Sequence, residues 1–249
     1  MIFGLQGSAQ LWTVFDYVDT FYAEKLLPEY LQLAPSSAFP PGRHPMMYSF
    51  GTQTVAMRPF VRFKMTYDES IIGVCHVELR KEVKNGTRRG PYSVMTATTV
   101  SRLLPMVLGR AIGFPKSLKL ISNGELSYRV KTILQRQLML ANDVTACAGS
   151  SCAPEHPALP IIETFLAHPV ISRTPWGTLL ASKFHIEKRT WKVVPAEVLG
   201  RVKAQDLAGL PGGTYRWLPI DDKALGAFLA EHNWIGDWPS RVSRQAMER

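Results

Sequence analysis

Leu108-Gly109-Arg110-Ala111-Ile112-Gly113-Phe114-Pro115-Lys116 is an apolar passage holding one arginine and ending in one lysine, and that lysine directly follows a proline. Proline fixes its own φ and pushes the residue before it towards extended backbone, so Lys116 leaves the chain from a stiff point beside an aromatic ring. Apolar surroundings strip water from an amine and disfavour its ammonium form. The neutral amine is the species that attacks a carbonyl to give a Schiff base. The plainer alternative is a strand-edge lysine with its charge in water, as most lysines are. Just upstream, Pro105 suits the first turn of a short helix ending near Gly109, directly ahead of Lys116.

The flanking sequence reads mostly as strand. From Val61 to Asp68 the residues alternate strictly, with Val61, Phe63, Met65 and Tyr67 on one face and Arg62, Lys64, Thr66 and Asp68 on the other. Ile71 to Arg80 alternates too, which predicts His76, Glu78 and Arg80 on the face opposite Cys75, Val77 and Leu79. Asn85-Gly86 and Asn123-Gly124 are two-residue hairpin signals. Further strands are expected at Leu118 to Ile121, Leu126 to Ile133, Lys183 to Val194 and Thr214 to Ile220. Helices are few. Leu11, Phe15, Val18, Tyr22 and Leu26 recur at three- and four-residue spacing, so a helix is predicted over 8–28, with Ser8 as cap and Pro28 as stop. A last helix is predicted from Asp222 to about Glu231. Ala34 to His44 is a Pro- and Ser-rich loop, and Ala148 to Pro175 has the composition of a lid. Closure of a sheet removes exposed edges. The expectation is therefore an α+β protein, predominantly antiparallel β. It comprises a closed or nearly closed β-barrel (core about 45–220) and a few flanking helices, in a single domain over 1–249.

Bulk composition narrows the function classes. The chain has 249 residues, 46% hydrophobic and 20% charged, the balance of a globular protein with a sizeable core. A net charge of +9 raises the local concentration of anions. Much of it sits in Arg80, Lys81, Lys84, Arg88 and Arg89 around Asn85-Gly86, but no aromatic residues are interleaved to stack on bases. Nucleic-acid binding is an alternative and not the leading reading. Three cysteines give neither a disulfide framework nor a zinc site. Cys147 and Cys152 lie in a small-residue loop where pairing stays open, and reduced thiols are the default in a cytoplasmic protein. No charged n-region with a continuous apolar h-region is present, and no apolar run long enough to span a membrane, so a cytoplasmic location is expected. Six scattered histidines without His-x-x-x-His spacing point away from a metal site, although His76-Val77-Glu78 resembles half of one. Cys75 falls on an apolar face, where a thiol packs and does not react. No phosphate-cradling Gly-rich loop appears, so no nucleotide cofactor is implied.

Gly109-Arg110, a short spacer and then Phe114-Pro115-Lys116 resembles the signature of the acetoacetate decarboxylase-like family, whose nucleophile is the lysine after the proline. Val61-Arg62-Phe63, the position of Glu78 on the next strand, and Asn85-Gly86 followed by Gly90-Pro91-Tyr92 resemble that family in the same order, over about residues 60 to 120. The resemblance implies an antiparallel barrel, Lys116 as Schiff-base nucleophile, Glu78 as the acid–base carboxylate and no cofactor, since the imine itself is the electron sink. It also implies a homo-oligomer acting on a small keto acid or related carbonyl compound. The chemistry would be decarboxylation, aldol or retro-aldol cleavage, or dehydration, catalysed by a carbon–carbon or carbon–oxygen lyase. Arg110, Phe114, His76 and Lys64 are the expected substrate-binding residues. The sequence departs from the pattern where the family's second carboxylate is replaced by Lys64, the lysine after the nucleophile by Ser117, and the glutamate after Gly-Arg by Ala111. A cation at Lys64 favours keeping a substrate carboxylate in place over expelling it, so feeble acetoacetate decarboxylation is expected. A non-catalytic barrel that binds a small molecule is the alternative on the same fold.

Overall fold

The computed structural model describes residues 4–36, 39–58, 64–80, 90–134, 136–146, 167–187, 190, 192–202, 212–218, 226–237 and 240–242. In chain order these form β1 (Gly4–Asp19), α1 (Thr20–Leu26), β2 (Leu31–Leu33), β3 (Arg43–Arg58), β4 (Lys64–Leu79) and β5 (Tyr92–Val100). Then come α2 (Leu103–Ala111), β6 (Lys116–Leu118), β7 (Leu120–Gly124), β8 (Ser127–Lys131), β9 (Leu138–Ala146), β10 (Val170–Arg173) and β11 (Leu179–Ser182). The chain closes with β12 (Phe184–Ile186), β13 (Lys192–Val202), β14 (Gly213–Trp217), β15 (Ala227–Asp237) and β16 (Ser240–Arg241). The protein is mostly β, as the alternation predicts.

One hydrogen-bonded path runs β16-β11-β10-β5-β4-β3-β1-β15-β13-β9-β8-β7, with β12 on β15, β14 on β13, β2 on β4 and β6 on β5. The pairing is antiparallel except where β5 meets β10 and β6, both of which run parallel to it. Among the described residues the path has two ends, so the ladder is that of a curled sheet. The strands at one end pack back over the middle. Tyr128 on β8 stands 5.1 Å from the ring of Phe50 on β3, and Trp217 on β14 stands 5.7 Å from Tyr48. Asn142 on β9 donates to the Tyr48 hydroxyl at 2.7 Å. The main core fills this space, with Phe50, Tyr92, Tyr128 and Leu140 fully buried. The opposite face of β1, β3, β4 and β15 carries a smaller apolar cluster that includes Leu11, Val55, Tyr67 and Trp234.

Three expectations are corrected. The helix predicted over 8–28 is strand up to Asp19, and α1 covers only Thr20–Leu26, capped where the Asp19 carboxylate accepts from the Phe21 N–H at 2.8 Å. β1 is covered on both faces. Leu11 and Thr13 point to one side, and Trp12 and Val14 to the other, so apolar residues occur at almost every position and mimic helical spacing. Its β-branched and aromatic residues then favour the extended form. The helix predicted from Asp222 reaches into β15, where pairing with β1 from Gly4 to Val14 overrides local propensity; 222–225 lie outside the described residues. The hairpin expected at Asn123-Gly124 turns two residues later, with Gly124 paired to Ser127. The Asn85-Gly86 turn, Lys81 to Arg89, Val61-Arg62-Phe63, Cys147, Cys152 and 148–166 of the expected lid lie outside the described residues. Among the described residues no helix is long and apolar enough to cross a membrane.

Because Phe50 is fully buried between Tyr48 and Tyr128, Phe50→Ala is expected to lower unfolding free energy by about 3–5 kcal/mol, read from urea midpoints.

Candidate functional site

The turn that delivers Lys116 is built from the apolar stretch Leu108 to Lys116 itself. α2 ends in a Schellman motif: the Phe114 N–H donates to the Gly109 carbonyl at 3.0 Å and the Gly113 N–H to the Arg110 carbonyl at 3.0 Å. Gly113 carries the left-handed φ of +89° that this stop requires, and a Cβ there would lie 2.7 Å from the Arg173 carbonyl. Pro115 then sends the chain into β6, where Lys116 pairs in register with Thr98 of β5. The Arg110 guanidinium ties the helix end to the strand by donating Nε–H to the Lys116 carbonyl at 2.6 Å. Gly109 has a different task. A Cβ at that position would stand 2.4 Å from Lys116 Cδ and 2.7 Å from Cε, so the absent side chain is what lets the lysine stem lie against the helix.

Lys116 is 8% exposed, and its ammonium donates to Glu69 Oε1 at 2.5 Å, with Glu69 itself 3% exposed. The Tyr67 hydroxyl accepts a second, longer bond from Nζ at 3.4 Å, and Nζ stands 5.2 Å from the centre of the Tyr67 ring. Burial, reinforced by the Glu69 charge, pushes the Tyr67 phenol far above its ordinary range, so it stays a neutral hydroxyl. All three side chains line a cavity of about 470 Å³ between α2 and one face of the sheet. The alternate residues of β1, β3, β4 and β15 pave its floor, among them Leu11, Val55, Ile71 and Phe228. Among the described lining residues, Lys116 and Glu69 are the charged pair in otherwise largely apolar walls.

The sequence-based candidates separate. Phe114 lines the cavity beside Lys116. Arg110 is exposed and acts on the backbone of Lys116, not on the cavity. Lys64 is exposed at the start of β4 and is not among the described residues that line the cavity. Glu78 also lies outside the lining. It pairs in register with Gln32 of β2, whose side-chain amide donates to it at 2.5 Å. His76 packs its ring 5.1 Å from Phe39 and 5.4 Å from His168. The carboxylate that meets Lys116 is Glu69, nine residues earlier on the same strand as Glu78.

Nine residues of strand span roughly 30 Å at about 3.3 Å per residue, and the β4 lining of the cavity ends at Cys75, three residues short of Glu78; a bulge lies between the two carboxylates. Between Val74 and Val77 the pairing of β4 with β5 shifts register, and His76 takes a left-handed φ of +56°. Cys75 points into the cavity while Val74 and Val77 both face the main core, so the alternation read from Ile71 to Arg80 changes phase in the middle. Burial pushes the Cys75 thiol up to about 12, which keeps it protonated and unreactive. The signal for Glu69 was present. Met65 and Tyr67 share the apolar face, and two further residues along the same alternation reach a carboxylate on that face. Among the described residues no group of three or more potential metal ligands occurs.

No family model matches the chain and no curated protein matches it in sequence. Solved structures match it in fold. The enduracididine biosynthesis enzyme MppR complexed with pyruvate superposes with a TM-score of 0.63 at 14% identity, over 98% of this chain and 91% of that one. The same enzyme complexed with the condensation product of pyruvate and imidazole 4-carboxaldehyde gives 0.61 at 13%, over 98% and 90%. An acetoacetate decarboxylase from Legionella pneumophila gives 0.55 at 11%, over 98% and 88%. At these identities the likeness is one of fold, and it extends along nearly the whole chain.

Gly109→Ala is expected to cut Lys116 reactivity with carbonyl compounds by about a hundredfold, because a displacement of the stem near 1 Å misaligns the amine. Alanine favours the helix, so the melting temperature should change little. Unchanged reactivity would mean that the stem does not depend on this contact. His232 in the cavity wall and His44, hydrogen-bonded to the Cys75 carbonyl at 2.7 Å, are both pushed from 6.5 down to about 4, chiefly by burial. The unfolded chain binds protons at these residues below about pH 6.5 while the native chain does not, so their contribution is intact above that pH and falls as pH drops towards 4. The urea midpoint should therefore fall between about pH 7 and pH 5, and His232→Gln should show a smaller fall.

Proposed function

We propose that this chain, which has the acetoacetate decarboxylase-like fold, is a Schiff-base enzyme that condenses the Lys116 amine with a carbonyl substrate in the cavity above β4. The observation that carries this reading is the buried 2.5 Å pairing of Lys116 with Glu69 at the wall of a largely apolar cavity. A lysine kept only for stability has no need of a cavity next to its amine, and buried ion pairs are weak contributors to stability.

The residues divide the steps as follows. Lys116 donates its extra proton to Glu69, and the neutral amine adds to the substrate carbonyl, whose oxygen becomes the hydroxyl of a carbinolamine. The Glu69 carboxyl returns the proton to that hydroxyl, water leaves, and an iminium faces the Glu69 carboxylate. Tyr67 offers a neutral hydroxyl beside the reacting nitrogen and oxygen. The iminium withdraws electrons from the adjacent carbon, so a C–H, C–C or C–O bond there can break to give an enamine, with Glu69 placed to take or return the proton. That is the chemistry of a carbon–carbon or carbon–oxygen lyase. The reading takes the chain as one unit of this fold and needs no cofactor. It favours a carbonyl compound generally over a small keto acid, since the lysine's charge is already matched by Glu69.

Reduction with borohydride in the presence of a ketone should add one alkyl group per chain by intact mass. Lys116→Ala should gain nothing, and Glu69→Gln should form the adduct about 10²–10⁴ times more slowly. Equal adduct formation in all three proteins would point to surface amines and overturn the assignment. A non-catalytic binding barrel predicts ketone binding with no Lys116-dependent adduct.

A further inference from the structure

Strand register shows where the amine lies along the cavity. Glu69 is opposite Gly51 of β3, and Tyr67 is opposite Gln53. The cavity continues along β3 in both directions, to Met47 on one side and Met57 on the other. The two directions differ in chemistry. Towards Met47 the walls carry neutral polar groups, with the Thr13 and Ser49 hydroxyls bonded to each other at 3.0 Å and Ser93 and His168 nearby. Towards Met57 they are apolar, formed by Leu5, Val55, Met57, Met65, Phe184 and Trp234. The Phe184 and Trp234 rings meet edge to face at 5.5 Å. From Gln53 to Met57 is four residues of strand, roughly 14 Å at about 3.4 Å per residue.

We propose that the substrate of this site is a neutral carbonyl compound with a medium-length apolar tail, its carbonyl at Lys116 and its tail in the arm between Val55 and Trp234. This rests on the Schiff-base reading above and names the class of compound. Volume supports it, since about 470 Å³ is room for roughly fifteen waters, far more than a three- or four-carbon acid fills. Wall chemistry supports it too. Met57 and Met65 are unbranched and polarisable, so they adapt to a flexible chain. Charge balance gives a third argument. Condensation with a neutral ketone replaces an ammonium by an iminium, so the pair with Glu69 stays matched. A keto acid adds a second buried anion, which the described lining matches with no further cation.

The test is borohydride trapping of the full chain with 2-butanone, 2-hexanone, 2-octanone and 2-decanone, beside pyruvate and acetoacetate, with Lys116→Met as control. The half-saturating concentration should fall by up to about fourfold per added methylene until the arm is full. Val55→Phe should move the optimum to shorter ketones, and Leu5→Phe, at the end of the arm, should do so by less. Trapping of pyruvate or acetoacetate at lower concentration than 2-octanone would overturn the substrate class and leave the Schiff-base reading standing. If no compound gives a Lys116-dependent adduct, the Schiff-base reading fails. Melting with 2-octanol, which cannot form an imine, then decides the occupant: stabilisation of both wild type and Lys116→Met supports an apolar ligand, and no shift in either overturns it.

Discussion

The structure is organised around a cation and an anion placed together away from water. Lys116 and Glu69 come from elements far apart in sequence, and each alone at its position would be an unmatched buried charge. Holding them within hydrogen-bond reach constrains three things together: the end of α2, the register of β4 and the absence of a side chain at Gly109. The Schellman stop fixes where the helix ends, Pro115 fixes the direction of departure, and Arg110 ties the new strand to the helix. The nonapeptide is therefore best understood as a mount for one amine, with most of its residues acting on the backbone and not on a ligand.

How much of this was legible in the sequence depended on whether the signal was local. Lys116 was legible because the stiff turn and its apolar approach are contiguous, and the helix around Pro105 followed from the same residues. The β content and parts of β7, β8, β12 and β14 were legible from alternation and turn residues, whereas β9, β10, β11 and β16 carried no signal of their own. β1 was not, because coverage on both faces erases the period of two and leaves a pattern that a helix also satisfies. Glu78 illustrates a different loss. A bulge at Cys75 and His76, which no residue in that stretch announces, breaks the alternation, and the cavity lining on β4 ends at Cys75, three residues short of Glu78. Glu69 was available to a reading that kept the phase of Met65 and Tyr67 and asked why a carboxylate continued the apolar face. Lys64 stands exposed at the start of β4, and a position taken from a family pattern says nothing about exposure at a strand's end.

The same geometry explains why an open-looking β fold suits imine chemistry. A curled sheet gives one face to a dense aromatic core and the other to a cavity, so the floor of the site is held by the packing of Phe50, Tyr48 and Tyr128 behind it. Side chains on such a floor have little freedom, and preorganisation of this kind supports proton transfer between fixed partners. In the proposed reaction, the largely apolar walls would limit the water around an iminium that water hydrolyses. Glu69 matches the lysine's charge, so the proposed condensation would leave the net buried charge unchanged.

The most direct measurement is a crystal structure of the protein reduced with borohydride in the presence of 2-octanone. Continuous density from Lys116 Nζ to the ketone carbon is predicted, with the Glu69 carboxylate within hydrogen-bond reach of that nitrogen and the alkyl tail running towards Val55 and Trp234. An adduct on a surface lysine, with Lys116 unmodified and still paired to Glu69, would contradict the assignment of this pair as the reacting centre.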